Sequence, residues 1–155
     1  MNPTPHPPLA VRRAHGLWLL AVVAGIYETG LAIAHGYAES DLTTDQLLAN
    51  LVVRGTVFGL AIFLAQLMRG GSNAARWILT GLLGVVGLGS LLIGPAEWLL
   101  AGNTQTGLDF SALEWIFATS RALHVCAVLA ALAAMFTPAA NRWFARRTAM
   151  IGATS

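Results

Sequence analysis

The sequence predicts an all-α protein: a four-helix transmembrane bundle with both termini cytoplasmic and a short C-terminal interfacial helix. Three observations carry this reading. The 155 residues are 56% apolar and only 10% charged, against about 25% charged residues in an average soluble domain. Four segments reach the roughly 20 apolar residues that a helix needs to cross hydrocarbon. The arginines segregate to one side of those segments. This composition, with a mean hydropathy of +0.66, excludes a disordered chain, a disulfide-stapled secreted domain and an ordinary cytosolic enzyme.

The expected spans run over 16–36, 45–68, 75–93 or somewhat beyond, and 113–136. Residues 1–8 contain four prolines and read as a disordered tail. Thr43 with Gln46 fits a capping box ahead of the second span, and Ser111 with Glu114 one ahead of the fourth. Gly70-Gly71 ends the second helix. Thr137 and Pro138 suit the N-cap and first turn of a further helix over 138–151. Trp143, Phe144, Met150 and Ile151 with three arginines make that helix a candidate for the inner leaflet surface, or simply a basic stop signal. Gly94-Pro95 is expected to kink or end the third helix, leaving Pro95 to Leu100 as a short interfacial turn. No internal repeat and no second domain is apparent.

Orientation follows from the arginines, which are all nine of the basic residues. Arg12 and Arg13, Arg69 and Arg76, and Arg142, Arg146 and Arg147 lie on one side. The other two connections hold Glu39, Asp41, Asp45 and Asp109 with no arginine. The positive-inside rule then places both termini in the cytoplasm, with tryptophans near both interfaces. A second reading of the first span stays open. Arg12-Arg13, the apolar run Leu17 to Ile26 and Ala32-Ile33-Ala34 also fit a signal peptide cleaved before His35. The absence of lysine and the heavy use of alanine and glycine fit a bacterial genome, hence a bacterial plasma-membrane location.

Charges inside the spans carry what functional signal there is, because each costs at least ~2.5–3.5 kcal/mol near mid-bilayer and needs a partner. Glu28, Arg54 and Arg121 lie about two to four residues outside the centres of their spans, within about 3 Å of one layer at ~1.5 Å per residue. His124 is one turn from Arg121. Glu28 is expected to bridge Arg54, Arg121 or both. Glu28, Arg54, Arg121 and His124 are the candidate ligand- or proton-binding residues. His35, Glu97 and Glu114 are candidates for the rim of an outer polar cleft. The same charges also suit structural ion pairs that fix helix register, and Glu114 suits the acid of its capping box. Gly55 and Gly59, and Gly81, Gly84 and Gly87, mark close helix contacts, expected within the bundle.

Other chemistries lack their residues. The single Cys126 cannot form an intrachain disulfide. The histidines have no zinc-ligand spacing, and His35 and His124 differ in depth by ~13 Å at the helical rise, too far for a shared haem. There is no P-loop or dinucleotide fingerprint, and no Ser-His-Asp set at one depth. No cofactor, metal or nucleic acid is expected. A small proton-coupled exporter often carries one glutamate in its first helix, as Glu28 is here, although Arg54 and Arg121 would be unusual in one.

The stretches Arg69-Gly70-Gly71-Ser72-Asn73-Ala74-Ala75-Arg76-Trp77-Ile78-Leu79-Thr80 and Phe136-Thr137-Pro138-Ala139-Ala140-Asn141-Arg142-Trp143-Phe144 resemble small four-helix integral membrane proteins of actinobacteria. That resemblance implies a plasma-membrane location and no assigned reaction. The expected function is a non-enzymatic accessory or interaction protein whose partners are the lipid bilayer and a membrane protein or a second copy. The alternative is a binder or transporter of a small solute or proton at the polar layer.

Overall fold

A computed structural model describes residues 6–38, 43–100, 102 and 111–152. The described residues are helical almost throughout, with no strand among them. Helix α1 is Leu9–Ala38 and α2 is Thr44–Arg69. The third span is continuous but composite: α3 (Asn73–Ile78), a π-helical segment (Leu79–Gly87) and α4 (Leu88–Leu100). Helix α5 is Ala112–Met135 and α6 is Pro138–Gly152. Four of these stretches are long and apolar enough to cross a membrane: Leu9–Gly36, Thr44–Arg69, Asn73–Ile93 and Ala112–Met135.

Local chemistry sets most boundaries where the sequence places them. Thr43 accepts from the Gln46 N–H while its own N–H donates to Gln46 Oε1 at 3.1 Å, closing the first capping box. Ser111 and Glu114 close the second in the same way, with Ser111 N–H donating to Glu114 Oε2 at 2.7 Å. The turn after α2 uses Gly71 at φ +100°, a left-handed conformation that favours glycine. Thr137 Oγ1 accepts from the Ala140 N–H at 3.4 Å and starts α6.

Helix α1 is the centre of the bundle. It packs chiefly on α5 and then on α2. Its buried stripe is Val11, Ala14, His15, Trp18, Ala21, Val22, Ala24, Gly25, Glu28 and Thr29, the three-and-four spacing of one helix face. This stripe begins in the first turn, so α1 starts at Leu9, a full seven residues before the expected span. The core gathers at the end of the bundle that carries both termini. Val11, Ala14, Ala65, Met68, Leu79, Ala131, Met135 and Ala140 are fully enclosed there. Trp18 Nε1–H points at Met135 Sδ, 3.4 Å away, across the α1–α5 seam. The alternative cleavage site Ala32-Ile33-Ala34 lies inside α1, and the residues ahead of it supply a large part of this core.

Three expectations need correction. Pro95 to Leu100 is not a turn: helix continues through Gly94-Pro95 to Leu100, while the stretch apolar enough to cross a membrane ends at Ile93 as expected. Proline removes one backbone N–H, and near a helix end that loss leaves the other rungs intact. Gly55 and Gly59 do not pack within the bundle, since a Cβ at either would meet nothing within 4 Å. Of the three spaced glycines of the third span, Gly84 alone seats a side chain of another helix, Leu132. The π segment itself follows no pattern that periodicity detects. It contains all three of those glycines, and Thr80 Oγ1–H, donating to Arg76 O at 2.9 Å, adds a local competitor for a backbone acceptor.

Arg76 is also placed differently from its fellow arginines. It is buried at the terminal end, stacked over Phe136 at 4.1 Å and Phe144 at 4.9 Å, and donates to Asn141 Oδ1. Arg12, Arg13, Arg69, Arg142 and Arg146 are exposed at the same end, with Arg147 half-buried over Trp143. Helix α6 packs Ala140, Trp143 and Phe144 into the core, against α1, α3 and α5.

Candidate functional site

The polar layer sits where the packed core stops. On α1, Glu28 and Thr29 end the buried stripe and differ by about 100° in direction around the helix. Glu28 therefore faces α5 and Thr29 faces α2. The layer thus forms as two sets, and of the expected bridges from Glu28 it is the one to Arg121 that is made. Glu28 Oε2 lies 3.8 Å from Arg121 Nε, and Glu28 Oε1 lies 3.4 Å from His124 Nδ1. Arg54 does not reach Glu28: its Nη1 donates to Thr29 Oγ1 at 3.3 Å. Thr29 in turn donates its hydroxyl proton to Gly25 O at 2.7 Å.

Glu28 is enclosed yet loosely held. Its side chain is 7% exposed, against 43% for Arg121 and 17% for His124. Neither Glu28 Oε1 nor His124 Nδ1 makes an aligned hydrogen bond, although both atoms are shielded from solvent. Charge-assisted N–H···O bonds in tight pairs run ~2.7–2.9 Å, so both contacts to the carboxylate are long. Buried polar atoms are nearly always satisfied, and one that is not marks strain, a functional group or a missing ligand.

A cavity of about 190 Å3 opens beside this carboxylate. Glu28, Arg54 and His124 are its charged or titratable lining, and the rest is largely apolar, including Trp18, Phe58 and Leu83. The third span contributes Gly87 from the π segment and Ser90, whose hydroxyl donates to Gly87 O at 2.8 Å. Gly25 makes the geometry possible. A Cβ there would lie 2.9 Å from Phe58 Cε1 and 3.2 Å from His124 Cε1, so only glycine lets both rings come this close.

The expected rim residues stand elsewhere. His35 is exposed near the far end of α1, Glu97 is exposed on α4, and Glu114 is exposed in its capping box. None of them lines the cavity. Glu39, Asp41 and Asp109 fall outside the described residues. Among the described residues, no group of three His, Cys, Asp or Glu side chains could hold a metal ion. Sequence reasoning missed Thr29, Gly25, Phe58 and Ser90. Thr29 and Gly25 were accessible in principle, because both continue the stripe through Trp18 and Glu28. Comparison with family models, with curated proteins and with solved structures gave no match to this chain.

Proposed function

We propose that the chain is a multi-pass protein of a bacterial plasma membrane that binds a small polar solute together with a proton in the cavity lined by Glu28, Arg54 and His124, with Arg121 paired to Glu28 outside the lining. The observation that carries this is the under-bonded Glu28 carboxylate, buried against a cavity that also holds an imidazole and a guanidinium. Structural ion pairs are served by short, aligned contacts and close packing, and this carboxylate has neither. The His124 imidazole, whose ring nitrogens can both donate and accept a proton, stands 3.4 Å from the acid. Exposed arginines at the terminal end support a cytoplasmic placement of both termini. The remaining basic face of α6 then lies against the anionic inner leaflet.

The test is reconstitution into liposomes carrying an internal pH dye. Addition of small polar solutes is expected to move protons with the wild-type chain and not with Glu28→Gln, at equal protein incorporation. Equal proton movement in both would refute the reading. The accessory-protein reading keeps one supporting observation: α2 has only 11% of its most apolar window buried, against 39% for α1. A stoichiometric protein partner recovered from mild detergent, with no proton movement in liposomes, would favour it.

A further inference from the structure

We infer that the solute is a small monocarboxylate whose carboxylate is held by Arg54. This rests on the reading of the cavity as a solute site and adds the charge of its guest. The layer is not electrically balanced. Glu28 has Arg121 and His124 for company. Arg54 has no carboxylate within ion-pair distance among the described residues, and its only hydrogen bond there is to the neutral Thr29 hydroxyl. The proton of that hydroxyl points away, to Gly25 O, so the guanidinium meets a lone pair, and Arg54, exposed over much of its surface, is one of the cavity's lining residues with N–H donors to spare.

Two arginines against one glutamate leave one positive charge at a depth where an unpaired cation is costly. A guest with one negative charge cancels it. Carboxylate is the favoured form of that charge, because its two oxygens match the guanidinium fork. Glu28 on the same cavity wall disfavours a second negative charge on the guest. The remaining wall is apolar, with Val53, Val57, Leu83 and Leu91 among its members, and suits a short hydrocarbon tail. An apolar cavity of ~150 Å3 accepts a benzene-sized guest, so about 190 Å3 fits a carboxylate of a few carbons. The groups around His124 are Glu28 from α1, Arg121 from its own helix and Arg54 from α2 across the cavity; the third span offers the Ser90 hydroxyl.

The experiment is calorimetry of the full chain in nanodiscs of zwitterionic lipid, titrated with butyrate, butyramide and butylammonium. Butyrate is expected to bind saturably at one site per chain, and the neutral and cationic analogues not to bind. Arg54→Gln is expected to weaken butyrate by about 10–100-fold, the loss of a charge-assisted contact, and Arg54→Lys to recover part of it. Where Arg54→Gln fails to accumulate, the three-probe comparison on the wild-type chain still decides. Preference for butylammonium or butyramide would overturn the anion assignment while leaving a solute site in place. Absence of butyrate binding alongside intact Glu28-dependent proton movement would do the same. In discs containing anionic phospholipid, native mass spectrometry showing a retained lipid that Arg54→Gln releases, with no butyrate binding, would assign Arg54 to a headgroup and refute the proposal. Failure of both butyrate binding and proton movement would remove the solute site itself.

Discussion

The two halves of the bundle are built differently. At the terminal end, α1, α2, the third span, α5 and α6 share one core in which Val11, Met68, Leu79, Met135 and Phe144 are essentially inaccessible. Beyond the level of Thr29 and Ser120, no residue of described burial is buried on any helix. Glu28 and the cavity lie at the boundary. Apolar side chains such as Val52, Val85 and Leu99 are two-thirds exposed and suit hydrocarbon rather than a protein core. One half is a packed scaffold; the other has no buried core among the residues of described burial, and the polar layer sits where the two meet.

The comparison breaks most sharply under truncation. Phe144→Ala is expected to cost ~3–5 kcal/mol, the usual price of removing a buried aromatic, because it empties the core and strips one face from Arg76. Leu99→Ala, 67% exposed in the other half, is expected to change stability by no more than about 0.5 kcal/mol. Thermal melts in one detergent check both, and equal losses would erase the distinction between halves.

Glycines give the next largest contrast. Gly25→Ala forces a methyl against Phe58 and His124 and is expected to cost ~1–3 kcal/mol, as overpacking does. Gly59→Ala meets open space and is expected to be neutral, or stabilising by up to ~1 kcal/mol through helix propensity. Parallel melts of the two variants measure the contrast. At the small end, Ser111→Ala opens the α5 capping box for ~1 kcal/mol. That change is expected to lower the melting temperature slightly and leave butyrate binding untouched, a pairing that sharpens the separation of the open end from the cavity.

Spans, caps and the shared depth of Glu28, Arg54 and Arg121 were legible in the sequence, because hydropathy, capping chemistry and helical rise are local properties. Two things were not. Which helix faces meet is a tertiary fact: Glu28 and Thr29 are neighbours in sequence yet address different helices, so Arg54 found the threonine and Arg121 with His124 found the acid. The π segment and the helix through Pro95 are cooperative backbone outcomes, in which Gly81, Gly84 and Gly87 permit but do not dictate the form. The small residues at Gly55 and Gly59 looked like bundle contacts, but close packing needs an opposing surface and none stands there.

The central claim is that Glu28, the enclosed carboxylate on the cavity wall, is the group that joins solute binding to proton movement. Solute uptake and internal pH recorded together in one liposome preparation test this most directly. Proton movement in step with solute uptake in the wild-type chain, with neither in Glu28→Gln at equal incorporation, is the predicted result. Solute uptake of equal size in the two chains would contradict it.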